Sequence, residues 1–250
     1  VNTETIKNQP PDVNIRDCIF FENDDFIIAR KPGGLVSEED PVGSKNLRYM
    51  LYRYVRETYP WKKRAICQLA HRLDKPVAGL IICAKKPSIL KNLQQQFYHR
   101  EVKKHYLAVI AGVPEVKAAT LRQFIKKSQS EFRALPATEL EADAREAILN
   151  YRVLAENESH SLLQVELMTG KFHQIRFQLS YMGWPIWNDE WYSGKKVNNE
   201  NRIGLYSFAV AFSDPKTGEP REFISCPPLD QQPWDLFGDA IELAIANFKF

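Results

Sequence analysis

The stretch AHRLDKPVAGLIICAK, residues 70–85, sets His71, Arg72 and Asp74 in one short polar turn ahead of an apolar run. A cation and a carboxylate two residues apart at the mouth of a buried strand are, by themselves, an ordinary exposed ion pair that contributes little. They also make a workable chemical group. A carboxylate beside a guanidinium is held in its charged form by the opposite charge, and arginine does not lose its proton to spoil the pairing. Such a group suits attack on, or stabilisation of, an electron-poor sugar carbon better than it suits general-base work. A second cation, Arg176, stands in a similarly marked setting, GKFHQIR, residues 170–176.

Other chemistries fit poorly. HRLD resembles the start of a kinase catalytic loop, but KPVAG supplies no asparagine at the required offset, and a glycine-rich phosphate loop and D-F-G are missing from the sequence. His71, His99, His105, His160 and His173 form no metal-binding pair, so each alone reads as a satisfied structural histidine, and no metal site is expected. Cys18, Cys67, Cys83 and Cys226 are scattered without a C-x-x-C and read as free buried thiols, not as zinc ligands or a disulfide framework.

The elements that must hold these residues follow from periodicity. CIFFEN meets the core after a polar leader, 1–16, and DFIIARKPGGLV is a strand entering a turn at which Gly33 and Gly34 relax the backbone. LRYMLYRYVRETY has helical spacing, and GLIICAK is a strand. PSILKNLQQQF starts a helix at Pro87 or Ser88 with Ile89, Leu90, Leu93 and Phe97 on one face. KKHYLAVIAG alternates as a strand and stops at Gly112; residues 147–170 give two strands about a polar turn; KFHQIRFQLSYMG is helical to Gly183; and 205–226 give two strands about Pro-Lys-Thr-Gly.

Between them, 113–146 weakens into charged, Ala-rich sequence and reads as an insertion or irregular excursion within one domain, 17–250. No internal repeat is visible, and strand pairs outnumber strand–helix alternation. The expected class is therefore α+β, a single domain with a largely antiparallel mixed sheet flanked by helices.

The 250 residues, 44% hydrophobic and 26% charged, describe a globular chain. Apolar runs are too short to span a bilayer and the first residues lack the apolar stretch of a secretory signal, so a cytoplasmic protein with no membrane partner is expected. A net charge of +3 permits nucleic-acid binding without demonstrating it. The basic clusters at 61–64, 85–86, 100–105 and 126–127 each read, alone, as a solvated face.

Taken together, the motifs resemble those of the RluA-type pseudouridine synthases. HRLDKPVAGLIICAK is similar to that family's H-R-L-D-x-x-T-S-G segment, ARKPGGLV to its N-K-P-x-G-L-x-V entry, VKKHYLAVIAG to K-x-Y-x-A-x-V-x-G, and TGKFHQIRFQLSYMGWPI to T-G-R-x-H-Q-I-R-x-H with a downstream G-x-P-I. SDPKTGE is similar to a late family turn, and all five occur in family order across roughly residues 18–228.

The resemblance implies an RNA uridine isomerase that needs no cofactor and acts on structured RNA, tRNA or rRNA. It makes Asp74 the catalytic aspartate, Tyr106 the tyrosine that packs on the target base, and Arg176 the arginine that pairs with the aspartate. Arg72, His71, Lys171, His173 and Gln174 then fall on the substrate side. A basic groove with an aromatic face suits an enzyme that draws a base out of its stack. The short leader implies a catalytic domain without an N-terminal S4 domain, and a monomer is the default expectation.

The chain departs from the family pattern at Val77 and Ala78, which replace two hydroxyl residues able to hold the loop. Lys171 stands for an arginine and lacks its bidentate fork. Phe172 stands for a small polar residue, Asn188 for a glycine, and GLYSFAV for Leu-His-Ala. Trp184, Trp187 and Trp191 read as packing residues or as stacking surfaces. The altered support leaves a rival reading open, an RNA-binding relative with weak or no catalysis.

Overall fold

A computed structural model describes residues 12–40, 43–61, 66–198 and 200–250. Most of the expected leader, and all but Trp61 of the basic cluster at 61–64, lie outside the described residues. The chain packs as two compact units: 1–102 with 199–202 and 211–222, and 103–198 with 203–210 and 223–250.

In the first unit a short helix, α1 (Ile15–Cys18), leads into β1 (Ile19–Glu22) and β2 (Phe26–Lys31). β2 pairs antiparallel with β4 (Ala78–Ala84) from Phe26 opposite Ala84 to Lys31 opposite Gly79, and the two-residue β3 (Gln68–Leu69) also pairs with β4. Phe26, Ile27 and Ile28 of β2 and Leu80, Ile81 and Ile82 of β4 all have no exposure. That double burial is why both strands read as continuous apolar runs instead of alternating.

Two helices belong to this unit. In α2 (Leu47–Thr58), helical as expected, Asn46 caps the start by accepting from the Tyr49 N–H, and Leu47, Leu51 and Val55 form a buried stripe. α3 (Pro87–Tyr98) starts at proline as expected and buries Ile89 and Leu93. Its other buried residue is Gln96, whose amide donates to the Ser213 carbonyl and accepts from the Ser213 N–H. A polar residue serves on an apolar face here because both of its hydrogen-bonding groups are matched.

In the second unit, β5 (Lys103–Ala111), β9 (His160–Leu167), β8 (Arg145–Glu156), β6 (Ala118–Lys127) and β7 (Ala134–Ala137) follow one another across an antiparallel sheet. β10 (Leu205–Ser213) neighbours β5, and its residues 205–210 belong to this unit. β11 (Pro220–Ile224) pairs with β10. The hairpin expected in 147–170 is β8 with β9.

The reading of 113–146 as irregular is corrected: β6 pairs with β8 from Ala118 opposite Arg152 to Ile125 opposite Arg145. Its pattern is faint in the sequence because only Leu121 and Ile125 are buried, while Arg122 and Lys126 reach carboxylates of Glu146 and Glu141 at the surface.

Helix α4 (Gln174–Tyr181) buries six consecutive residues, Gln174 to Leu179. Phe177 packs with Ile125, Ala134 and Ala147. Gln178 donates to the Leu121 and Ala147 carbonyls. A short helix, α5 (Glu190–Ser193), and a C-terminal helix, α6 (Gly238–Ala246), complete the unit. The class is α+β with a largely antiparallel sheet, and no described helix is long and apolar enough to cross a membrane.

Cys67 and Cys83 are joined as a disulfide, with Cα atoms 6.0 Å apart, and Cys226 is exposed. Both differ from the expectation of free buried thiols. The pairing of Leu69 with Cys83 across β3 and β4 brings together two cysteines sixteen residues apart, which spacing alone does not reveal.

Candidate active site

In the first unit Asp74 sits on the loop between β3 and β4, and three contacts fix that loop by its backbone. Ser37 Oγ donates to the Leu73 carbonyl at 2.6 Å and accepts from the Leu73 N–H at 3.2 Å. The Gly34 N–H donates to the Lys75 carbonyl at 2.8 Å, and the Val77 N–H donates to the Asp74 carbonyl at 3.0 Å. Lys31, buried at the end of β2, donates to the carbonyls of Pro32, Leu35 and Lys75.

Burial pulls the Lys31 ammonium down to about 7, and the negative charge of Asp74 opposes that shift. Lys31 and Ser37 are thus the supports of the aspartate loop that motif reading missed. The signal was present in ARKPGGLV but carried no indication of what the lysine would hold. With these supports, hydroxyls at 77 and 78 are not needed to shape the turn.

The two glycines of that turn do different work. Gly34 takes a φ of 84°, which glycine adopts without penalty. Gly33 allows close approach, because a Cβ there would lie 2.7 Å from Arg202 Cβ and 3.0 Å from the Pro76 oxygen. Gly33→Ala is expected to cost about 1–3 kcal/mol through this overpacking, read as a lower urea midpoint.

His71 accepts the Ile82 N–H on Nε2 and packs beside Phe97, 5.0 Å between ring centroids. It fastens the loop to β4 and α3. Arg72, by contrast, is three-quarters exposed, 4.0 Å from Glu38, and is available to a ligand.

In the second unit Tyr106 is buried on β5 opposite Val165. Lys104 is two residues earlier and therefore on the same face. Its ammonium lies 3.4 Å from where a Gly170 Cβ would be, and burial lowers its pKa to about 8.

His105 faces the other way, against Phe208, Phe248 and Phe250, and its Nδ1 has no hydrogen-bond partner. Burial lowers its pKa to about 4; Glu166 pulls it up, and Lys103 and Arg152 push it down. An unfolded histidine binds a proton below about 6.5 while the folded His105 stays neutral to about 4. Stability is therefore complete above pH 6.5 and falls as pH drops towards 4, by up to about 3 kcal/mol for this group. His105→Leu should flatten that slope in urea titrations at pH 4.5 and 7.

Arg176 is buried and makes a bidentate pair with Asp189, Nε to Oδ2 at 2.7 Å and Nη2 to Oδ1 at 2.8 Å. Asn188 precedes Asp189 in the chain. Its φ of 61° is the left-handed conformation anticipated for a residue at a glycine position, and its side chain accepts the Val197 and Asn198 N–H groups. Asp189 was missed as a site residue; only its closeness in sequence to the G-x-P-I segment pointed to it.

Gln174, expected on the substrate side, is buried with its amide fully bonded. Its oxygen accepts from Thr169 Oγ1 and the Lys171 N–H, and its nitrogen donates to the Ile148 carbonyl and to Gln178. Both lone pairs and both N–H groups are thereby used. His173 starts α4 with φ 52°, shares a hydrogen bond with the Tyr192 hydroxyl at 3.0 Å and stacks on Phe172. Lys171 is partly exposed. No cluster that could hold a metal ion occurs among the described residues.

The chain is similar to several known proteins. The family model described as RNA pseudouridylate synthase matches residues 25–181. An uncharacterized RNA pseudouridine synthase of Chlorobaculum parvum is 30% identical over 244 residues, covering 89% of this chain and 74% of that protein. Ribosomal large subunit pseudouridine synthase C of Buchnera aphidicola is 28% identical over 222 residues, covering 86% of this chain and 67% of its own length. Human RNA pseudouridylate synthase domain containing 4 superposes with a TM-score of 0.74 at 19% identity, covering 91% of this chain and 94% of that one.

The chain belongs to the RNA pseudouridylate synthase family. It is an enzyme of the RNA uridine isomerase class.

Proposed function

We propose that this chain isomerises specific uridines of structured RNA, tRNA or rRNA, by an aspartate-dependent route, as a monomer in the cytoplasm. Isomerisation breaks the bond between N1 and the sugar, joins the sugar to C5, returns a proton to N1 and releases the C5 hydrogen to water. In this reading Asp74 acts at the electron-poor sugar carbon. Arg176 supplies a fixed positive charge, Tyr106 packs on the detached base, and Arg72, His71, Lys171 and His173 line the approach of the RNA. The balance of the reaction calls for no redox partner.

The observation that carries the reading is the support of Asp74. Leu73 and Lys75, on either side of it, are bonded by their backbone groups to Ser37, Gly34 and Lys31, which is how a reacting group is kept in one geometry. RNA carrying tritium at uridine C5, taken from cells lacking the gene, should release tritium to water when incubated with the purified chain. RNA binding without release from any RNA fraction would favour the binding-only alternative.

A further inference from the structure

Of the three tryptophans in 184–191, Trp187 is buried and Trp184 packs edge-on to Tyr151, while Trp191 is 51% exposed. The Trp191 ring stands edge-on to His173, 5.7 Å between centroids. His173 stacks on Phe172 at 3.9 Å with the planes 17° apart. Lys127, on β6, lays its ammonium 4.7 Å from the Phe172 centroid. At its other end the stack meets Arg176, whose guanidinium lies 5.9 Å from the Trp191 centroid and is held by Asp189.

At the Phe172 end of this stack the unpaired charges are cationic. Lys126 and Arg133 are neutralised by Glu141 and Glu131. Lys127 and Lys171 pair with no carboxylate among the described residues. Aromatic faces flanked by unneutralised ammonium groups match a stacked base with its phosphate. They match a protein partner poorly, since lysine is depleted from the cores of such interfaces.

We propose that Phe172 and Trp191, with Lys127 and Lys171, form a platform on which one unpaired RNA base beside the target uridine stacks, the exposed Lys127 ammonium moving off the Phe172 face to the phosphate that it and Lys171 hold. The inference rests on the reading of Arg176 as part of the uridine site. It assigns to Phe172, one of the departures noted above, the task of choosing RNA with an unstacked neighbour. Neither ring nor ammonium reads base identity, so the platform selects local RNA conformation more than sequence.

The test uses the full chain and a fluorescein-labelled decauridylate, with binding followed by anisotropy at several salt concentrations. Phe172→Ser and Trp191→Ala should each weaken binding about 5- to 150-fold, the range for one base–aromatic stack. Trp191→Phe should restore affinity to within about threefold of the parent, because a smaller ring still stacks. Lys127→Ala, at an exposed position that does not threaten folding, should reduce the slope of log K against log salt by about 0.7.

Unchanged affinity in folded Phe172→Ser and Trp191→Ala, an unchanged salt slope in Lys127→Ala, or no binding of decauridylate by the parent would each overturn the platform. Tritium release by the parent is measured in parallel. Release with unaltered binding in the variants removes the platform alone. Lost binding in the variants with no release from the parent keeps the platform and removes the isomerase assignment.

Discussion

Asp74→Asn is expected to lower tritium release from C5-labelled RNA by at least about a thousandfold, the scale seen when a group that reacts directly is removed. Asparagine keeps the size of the side chain and removes only its charge. The contacts that shape the loop survive, because Ser37, Gly34 and Lys31 hold backbone atoms of Leu73 and Lys75 and not the carboxylate. RNA affinity should therefore stay within a few-fold of the parent while the chemical step is lost.

One secondary effect has a defined sign. The charge of Asp74 opposes the effect of burial on Lys31, so the variant's Lys31 should titrate below about 7. Release retained within tenfold of the parent would exclude Asp74 as the reacting group.

Asp189→Ala is expected to destabilise the chain by about 3–5 kcal/mol, because it removes a buried carboxylate that holds the buried Arg176 guanidinium through two hydrogen bonds. In a chain of this size that corresponds to roughly 10 °C in the thermal midpoint. Arg176 is 4% exposed and Asp189 1%, so water cannot replace the lost carboxylate. The guanidinium also lies against the rings of Tyr192 and Trp191.

The double variant Arg176→Met, Asp189→Leu should recover most of that stability, since well-packed apolar side chains often replace a buried ion pair at little cost. It should not recover tritium release. The pair of measurements separates what Arg176 contributes to folding from what it contributes to the reaction. A midpoint for Asp189→Ala within about 2 °C of the parent would show that the pair does not secure the arginine.

The sequence by itself determined the local elements and the family. Apolar runs such as GLIICA mark strands, the helical spacing of LRYMLYRYVRETY marks α2, and five motifs in order mark the RNA pseudouridylate synthases. These signals are local, and propensity and periodicity express them within a dozen residues. Asn188 was also legible, because few residues other than glycine and asparagine accept a positive φ.

Tertiary structure decided which residues meet across long separations. Lys31 reaches Lys75 over 44 residues, Ser37 reaches Leu73 over 36, and Cys67 meets Cys83 only because β3 pairs with β4. Arg176 meets Asp189 across thirteen residues, and the Gln174 amide makes four bonds that no spacing rule encodes. The strand β6 was hidden for a related reason: the partner that gives it order, β8, lies beyond the reach of a local pattern. The physical cause is common to these cases. A buried polar group is satisfied by whichever partner the fold brings within about 3 Å, and that partner is set by strand register and loop path, not by its neighbours in the chain.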